Sequence, residues 1–143
     1  MIGSLFGHLT GHVYGNGRVL FKVVGGVGYV VALTDRDHLA LARRDTGEPV
    51  ELLVHTVITE DSHTLYGFLD ADDEQAFRSI LSIKGCGPAL GMKVLSSVSA
   101  KSLRDVAYGP DRREAERTLT RLPGIGPKTA QLLVIKFRPG DMP

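Results

Sequence analysis

The first half of the chain alternates apolar and polar positions in short runs separated by glycine-rich turns. The clearest run covers residues 50–58, where every second residue is Val, Leu, Thr or Ile. A period of two is typical of β-strands. Five strands are predicted, at residues 5–9, 18–24, 29–33, 50–58 and 64–68. A small barrel is the economical arrangement, because a closed sheet has no open edges.

The second half of the chain has apolar residues at helical spacing, for example at positions 130, 133, 134 and 137. Asp70 and Ser99 are typical N-caps, and a charged helix is predicted over residues 111–121. The chain is therefore predicted to be α+β, with a barrel domain over residues 1–69 and an all-helical domain over residues 70–143.

Composition places the chain among ordinary globular proteins, with 143 residues of which 43% are hydrophobic and 23% charged. The single cysteine, Cys86, excludes an internal disulfide and a cysteine zinc cluster. The first residues do not resemble a secretory signal, and the longest apolar run, at residues 23–33, is too short to span a bilayer. We therefore predict a cytoplasmic protein without a membrane partner.

Charge is distributed unevenly along the chain, although the net charge is only +1. Residues 1–69 contain five basic and seven acidic side chains, whereas residues 70–143 contain twelve basic and nine acidic ones. The helical half is therefore the basic half, which is a mild indication of an anionic ligand.

A short pattern occurs twice in this basic half. Residues 83–88 read Ile-Lys-Gly-Cys-Gly-Pro and residues 122–127 read Leu-Pro-Gly-Ile-Gly-Pro, with a constant offset of 39 residues. Each copy predicts two helices joined by a tight turn, with backbone N–H groups exposed at a helix N-terminus. Such a terminus favours anions. Two copies predict a protein that binds phosphates at two points, and nucleic acid is the leading candidate.

Residues of the repeat have separate predicted roles. Glycine permits positive φ and leaves no Cβ between the backbone and a ligand. Cys86 and Ile125 are expected to point inward, and proline suits the first position of each following helix. The predicted DNA-binding residues are Lys84, Gly85, Gly87, Gly124, Gly126, Lys128 and Thr129. The alternative for a single copy is a glycine turn that any short helical hairpin requires.

These residues carry a family resemblance. Residues 122–130 are similar to the helix-hairpin-helix motif of many sequence-independent DNA-binding proteins. The whole chain resembles the RuvA family of bacterial Holliday-junction recognition proteins, through residues 1–3, 25–29 and 60–68 and through both hairpins in order. The resemblance implies an OB-fold barrel over residues 1–69 and tandem helix-hairpin-helix motifs over residues 70–143. It also implies a non-catalytic subunit that holds four-way junctions open for branch migration.

Glu60 and Asp61 follow the longest predicted strand and are expected at a hairpin tip. A solvated turn is the ordinary interpretation of such a pair, and a metal site with His63 is a second one. The resemblance implies a third, in which the pair forms an acidic pin at the centre of a homotetramer, where the junction strands cross.

The resemblance also implies partners, namely four-way junction DNA, a RuvB-type ATPase and a RuvC-type resolvase. Two departures from the family pattern bear on this. Ala89 stands where a basic residue is expected, and the chain ends at Pro143, where the family continues into a third, ATPase-binding domain. The chain is thus expected to be a truncated form or one that lacks the ATPase-binding part, and subunit interfaces are expected at the barrel edges and near Leu103 and Val106.

Two other functions remain open at the level of sequence. One is a generic duplex-binding module, and the other is a DNA glycosylase with Asp105 or Asp141 as its catalytic residue. No phosphate-loop motif is present, so no nucleotide cofactor is predicted and any use of ATP belongs to a partner.

Overall fold

The computed structural model describes residues 1–44 and 48–138. The first part of the chain forms five strands with one helix inserted between the third and fourth. These elements are β1 (Ser4–Gly15), β2 (Arg18–Val23), β3 (Gly28–Leu33), α1 (Asp35–Arg43), β4 (Val50–Ile58) and β5 (His63–Phe68). The strands form a closed barrel in the order β1-β2-β3-β5-β4. Their pairings are antiparallel except that of β3 with β5, which is parallel.

Strand β1 closes the barrel because its two halves pair with different neighbours. Residues Ser4 to Gly7 pair with β4, and residues from Gly7 to Gly15 pair with β2. The alternating apolar positions point inward, and Phe21, Val31 and Leu52 are fully buried. The five-stranded barrel predicted from the alternation, and implied as an OB-fold by the resemblance, is therefore confirmed.

Helix α1 was not predicted from the sequence. Thr34 is its N-cap, and the Thr34 hydroxyl accepts a hydrogen bond from the Asp37 backbone N–H at 3.2 Å. Asp35 and Asp37 lie in the first turn, where acidic side chains interact favourably with the positive end of the helix dipole. Only Leu41 forms a buried apolar anchor, so the helical stripe is too narrow to stand out from the strands around it.

Beyond the barrel the described chain is entirely helical. Its helices are α2 (Ala71–Leu81), α3 (Pro88–Ser97), α4 (Ala100–Ala107), α5 (Arg112–Thr120) and α6 (Pro127–Phe137). Asp70 Oδ1 accepts a hydrogen bond from the Asp72 N–H at 2.7 Å, and Ser99 caps α4 through the Ser102 N–H. Both predicted N-caps are confirmed.

Two compact units make up the chain, Met1–Glu74 and a second beginning at Gln75. In the second unit α4 packs against α5 and α6, and Leu103 is fully buried. Leu103 itself lies in the core of this unit, and the expected subunit interface near Leu103 and Val106 stays a prediction. The described strands close into a barrel, and the expected subunit interfaces on the barrel also stay a prediction.

Across the described residues, the helices are all too short or too polar to cross a membrane. Asp141 lies outside the described part of the chain.

Candidate nucleic-acid interface

The first glycine turn joins α2 to α3. The Ile83 carbonyl accepts a hydrogen bond from the Cys86 N–H at 3.0 Å, which closes a four-residue turn. Gly85, the third residue of this turn, has φ +90°. Because a side chain strongly disfavours this conformation, glycine is required here.

The second glycine turn joins α5 to α6 and repeats this geometry. The Leu122 carbonyl accepts a hydrogen bond from the Ile125 N–H at 3.2 Å, and Gly124 has φ +80°. The inward-pointing residues of the two turns, Cys86 and Ile125, are 8% and 4% exposed. The turn geometry and the inward position of both residues are thus confirmed, whereas their contribution to DNA binding stays a prediction.

Each turn leads into a helix without a capping side chain. Gly87 and Gly126 are the N-caps of α3 and α6, both in an extended conformation, and a proline follows each at the start of the helix. The N-caps of α1, α4 and α5, by contrast, all accept hydrogen bonds through their side chains. The two hairpin helices therefore keep donors that the other helices satisfy internally.

Several backbone N–H groups at these two helix starts have no acceptor within the described chain. They belong to Gly87, Ala89 and Leu90 in the first hairpin and to Gly126, Lys128 and Thr129 in the second. An exposed set of N–H donors at the positive end of a helix dipole is a binding site for an anion such as phosphate.

Two lysines and a threonine lie next to these donors in the sequence. Lys84 and Lys128 are exposed, and Thr129 is half-buried beside its own helix start. Ala89 is exposed and contributes no charge. Of the two lysines predicted to bind DNA, Lys84 lies before Gly85 of the first turn and Lys128 follows the second turn.

Lys93 on α3 also lies at the second turn. A Cβ at position 124 would stand 3.0 Å from Lys93 Cγ and 3.2 Å from Lys93 Cε, and would collide with Cδ. The lysine stem therefore lies across Gly124. The sequence alone does not reveal this contact, because Lys93 belongs to the other hairpin.

A basic groove runs along α5 beside the second hairpin. It has a volume of about 610 Å³ and is lined by Arg113, Glu116, Arg117, Thr120, Arg121, Pro127 and Gln131. The three arginines are spaced by four residues, so they follow one face of the helix at intervals of about 6 Å. Arg117 forms an exposed ion pair of 3.4 Å with Glu114. The four-residue spacing of these arginines is the sequence signal for this groove, which was not predicted.

Glu60 and Asp61 form the tip of the turn between β4 and β5. Thr59 and Ser62 flank them, and the two hydroxyl oxygens are 2.8 Å apart. The Thr59 N–H donates to the Ser62 carbonyl at 2.8 Å, and the Ser62 N–H donates to the Thr59 hydroxyl at 3.1 Å. Both carboxylates are exposed on this fixed turn.

The described residues do not support the metal site or the glycosylase site considered as alternatives. The described residues include no group of three His, Cys, Asp or Glu side chains that could hold a metal ion, so Glu60, Asp61 and His63 do not form one. Asp105, the described glycosylase candidate, is exposed on α4 and is not among the residues lining the basic groove.

Comparison with known families divides the chain as the fold does. Residues 1–67 match the RuvA N terminal domain, and residues 77–138 match the SAM-like helix-hairpin-helix tandem. The two matches cover the strands of the barrel and both hairpins.

Similar whole proteins are named Holliday junction branch migration complex subunit RuvA. Those of Legionella pneumophila (strain Philadelphia 1) and Bordetella avium (strain 197N) are each 38% identical to the chain over 138 residues. These alignments cover 96% of the chain, with 65% of the Legionella protein and 68% of the Bordetella protein. The relative from Synechococcus elongatus is 35% identical, and the chain spans 64% of its length. The chain belongs to the RuvA family.

Proposed function

We propose that this protein binds four-way DNA junctions and acts as the non-catalytic DNA-binding subunit of a branch migration complex. The observation that carries the proposal is the pair of helix starts at Gly87 and Gly126, which have matching turns and no capping side chain. Helix starts with open N–H donors bind phosphate groups, and two of them hold a nucleic-acid backbone at two points.

DNA contacts of this kind fix position without reading sequence. Backbone N–H groups and the charges of Lys84 and Lys128 meet phosphate oxygens, which are the same for every base. The basic groove along α5 continues the positive surface beside the second hairpin. A protein that recognises junctions of any sequence requires this kind of contact.

The acidic pin adds selectivity by repulsion. A carboxylate repels a phosphate by about 1 kcal/mol at ~4 Å in bulk water, and by several-fold more where water is partly excluded. Glu60 and Asp61 from several protomers, meeting at the centre of a homotetramer, push the crossing strands apart. The same charges disfavour a continuous duplex across the centre. Four-fold symmetry also matches the four arms of the junction.

In this proposal, partner proteins supply the catalytic steps. A RuvB-type ATPase drives branch migration, and a RuvC-type resolvase acts on the same junction in the cytoplasm. The family names of the relatives support the branch migration role.

The test is a gel-shift titration that compares a synthetic four-way junction with linear duplex of the same arm sequences, in excess competitor DNA at moderate salt. We expect a strong preference for the junction. Equal affinity for both DNAs would leave a generic duplex-binding module. A separate base-excision assay on damaged duplex tests the glycosylase alternative. Strand loss that disappears in Asp105→Asn would support it.

A further inference from the structure

Lys93 connects the two hairpins of the helical unit. It belongs to α3, the helix that follows the first glycine turn, but its stem lies across Gly124 in the second turn. The ammonium group is one bond beyond Cε and therefore lies close to this turn, whose Gly124 is two residues before the α6 N-cap, Gly126. Lys93 is exposed, and no carboxylate in the described chain forms an ion pair with it.

We propose that Lys93 is a DNA-binding residue of the second hairpin, where its ammonium contacts the phosphate held at the start of α6. This proposal rests on the function proposed above. It assigns to one helix a role in both sites, since the backbone of α3 binds at the first hairpin and its Lys93 side chain binds at the second.

Lys93 also offers a replacement for the basic residue that the family resemblance leads one to expect at position 89. Residues 89 and 93 are one helical turn apart and lie on the same face of α3. The helix thus carries its positive charge one turn later than the family resemblance leads one to expect. Because the stem crosses to Gly124, that charge is moved from the first hairpin to the second.

The two hairpins are consequently not equivalent in charge. A Cβ at Gly85 would meet no heavy atom within 4 Å, so no side chain covers the first turn as Lys93 covers the second. Among the described lysines, Lys93 and Lys128 lie at the second hairpin and Lys84 lies at the first. We expect the second hairpin to contribute more of the salt-dependent binding.

Packing alone is the competing explanation, in which the methylene stem of Lys93 only shields Gly124. Lys93→Met separates the two, because methionine keeps a flexible chain of similar length and loses the charge. Lys93→Arg keeps the charge. Lys101→Met makes the same substitution at an exposed lysine of α4 and serves as the matched control.

Junction affinity of the full chain is measured over a series of salt concentrations, with thermal unfolding of each variant alongside. We expect Lys93→Met to unfold like the parent, to bind the junction roughly tenfold more weakly at 0.1 M salt and to lower the salt slope by about 1 per bound protomer. Lys93→Arg and Lys101→Met should bind like the parent. Ala89→Lys added to Lys93→Met should restore part of the affinity.

Two failures are distinguishable. If Lys93→Met keeps the parent affinity and slope while Lys128→Met loses both, Lys93 is a packing residue and the proposal is overturned, with junction binding intact. If the parent chain does not bind junction DNA, both the proposed function and the role of Lys93 are overturned.

Discussion

The Leu69 backbone N–H donates a hydrogen bond to Asp37 Oδ2 at 3.1 Å. This bond ties the segment after β5 to the helix inserted between β3 and β4. Asp37 is 6% exposed, and Arg36 beside it forms an ion pair of 3.0 Å with Asp73. The buried Asp37 carboxylate therefore joins the end of β5 to α1.

Burial raises the pKa of the Asp37 carboxyl above its ordinary value of 3.8, since desolvation outweighs the hydrogen bond from Leu69. The folded protein thus holds this proton more tightly than the unfolded chain. The resulting contribution to stability is complete below about pH 3.8 and is lost as pH rises through the folded-state pKa. Asp37→Asn does not titrate and still offers an acceptor to Leu69.

We therefore expect the free energy of unfolding of Asp37→Asn, relative to the parent, to increase with pH from about 3.8 up to the folded-state pKa of Asp37. Urea unfolding of both proteins at a series of pH values measures this difference. A difference that stays level or decreases over the series contradicts the direction assigned to the pKa shift.

Installing a cap at the second hairpin should change stability and DNA binding in opposite directions. Gly126 has φ −86° and ψ 173°, a conformation suited to any N-cap residue, and a Cβ there meets no heavy atom within 4 Å. Gly126→Asp should stabilise the protein by roughly 0.5–1 kcal/mol through capping and the helix dipole. It should weaken junction binding about tenfold or more, because its carboxylate takes the donors and repels phosphate.

Gly126→Asn separates the two contributions to that loss, since it caps the helix without adding charge. We expect its affinity to lie between those of the parent and Gly126→Asp. Urea unfolding and the junction titration give both quantities. If Gly126→Asp is stabilised but keeps the parental affinity, the start of α6 does not bind DNA.

Neutralising the pin should relax selectivity rather than abolish binding. The double variant Glu60→Gln with Asp61→Asn removes the repulsion while the Thr59–Ser62 hydrogen bonds keep the turn. We expect it to bind the junction at least as tightly as the parent and to lose discrimination against duplex. Paired gel-shift titrations measure the ratio, and Glu51→Gln, at the other end of β4, is the control. Unchanged selectivity of the double variant would refute the pin.

Gly7 should tolerate no side chain, because main-chain atoms of the neighbouring strand occupy the space. A Cβ at position 7 would stand 2.7 Å from the Lys22 carbonyl carbon and 2.8 Å from Val23 Cα. Gly7→Ala should destabilise the barrel by about 1–3 kcal/mol or more, since the pairing of β1 with β2 must open. Gly3→Ala, which meets nothing within 4 Å, should stay within about 0.5 kcal/mol in urea unfolding. Equal losses for the two variants would show that the contact at Gly7 is not the cause.

The barrel was predictable because burial of one strand face imposes a period of two on the sequence. Strand β4 was predicted with its observed bounds, Val50–Ile58. Strand β1 was predicted only to residue 9 but extends to Gly15, because pairing with β2 continues through residues that are largely exposed and carry no apolar pattern. Tertiary pairing, rather than local propensity, determines that end.

The glycine turns were predictable for a steric reason, since positive φ at Gly85 and Gly124 restricts the residue type directly. The contact of Lys93 with Gly124 was not, because it joins residues 31 positions apart through the packing of the two hairpins. Sequence patterns report local geometry well and report contacts between separate hairpins poorly.

The open donors at Gly87 and Gly126 belong to the main chain, and every residue except proline carries the same N–H group. Most substitutions around these helix starts therefore leave the donors in place. The donors are lost only when a change alters the turn conformation, introduces proline, or adds a side chain that accepts their hydrogen bonds. The proposed phosphate-binding geometry should therefore withstand most substitutions at these helix starts, whereas the glycines with positive φ, Gly85 and Gly124, should withstand few.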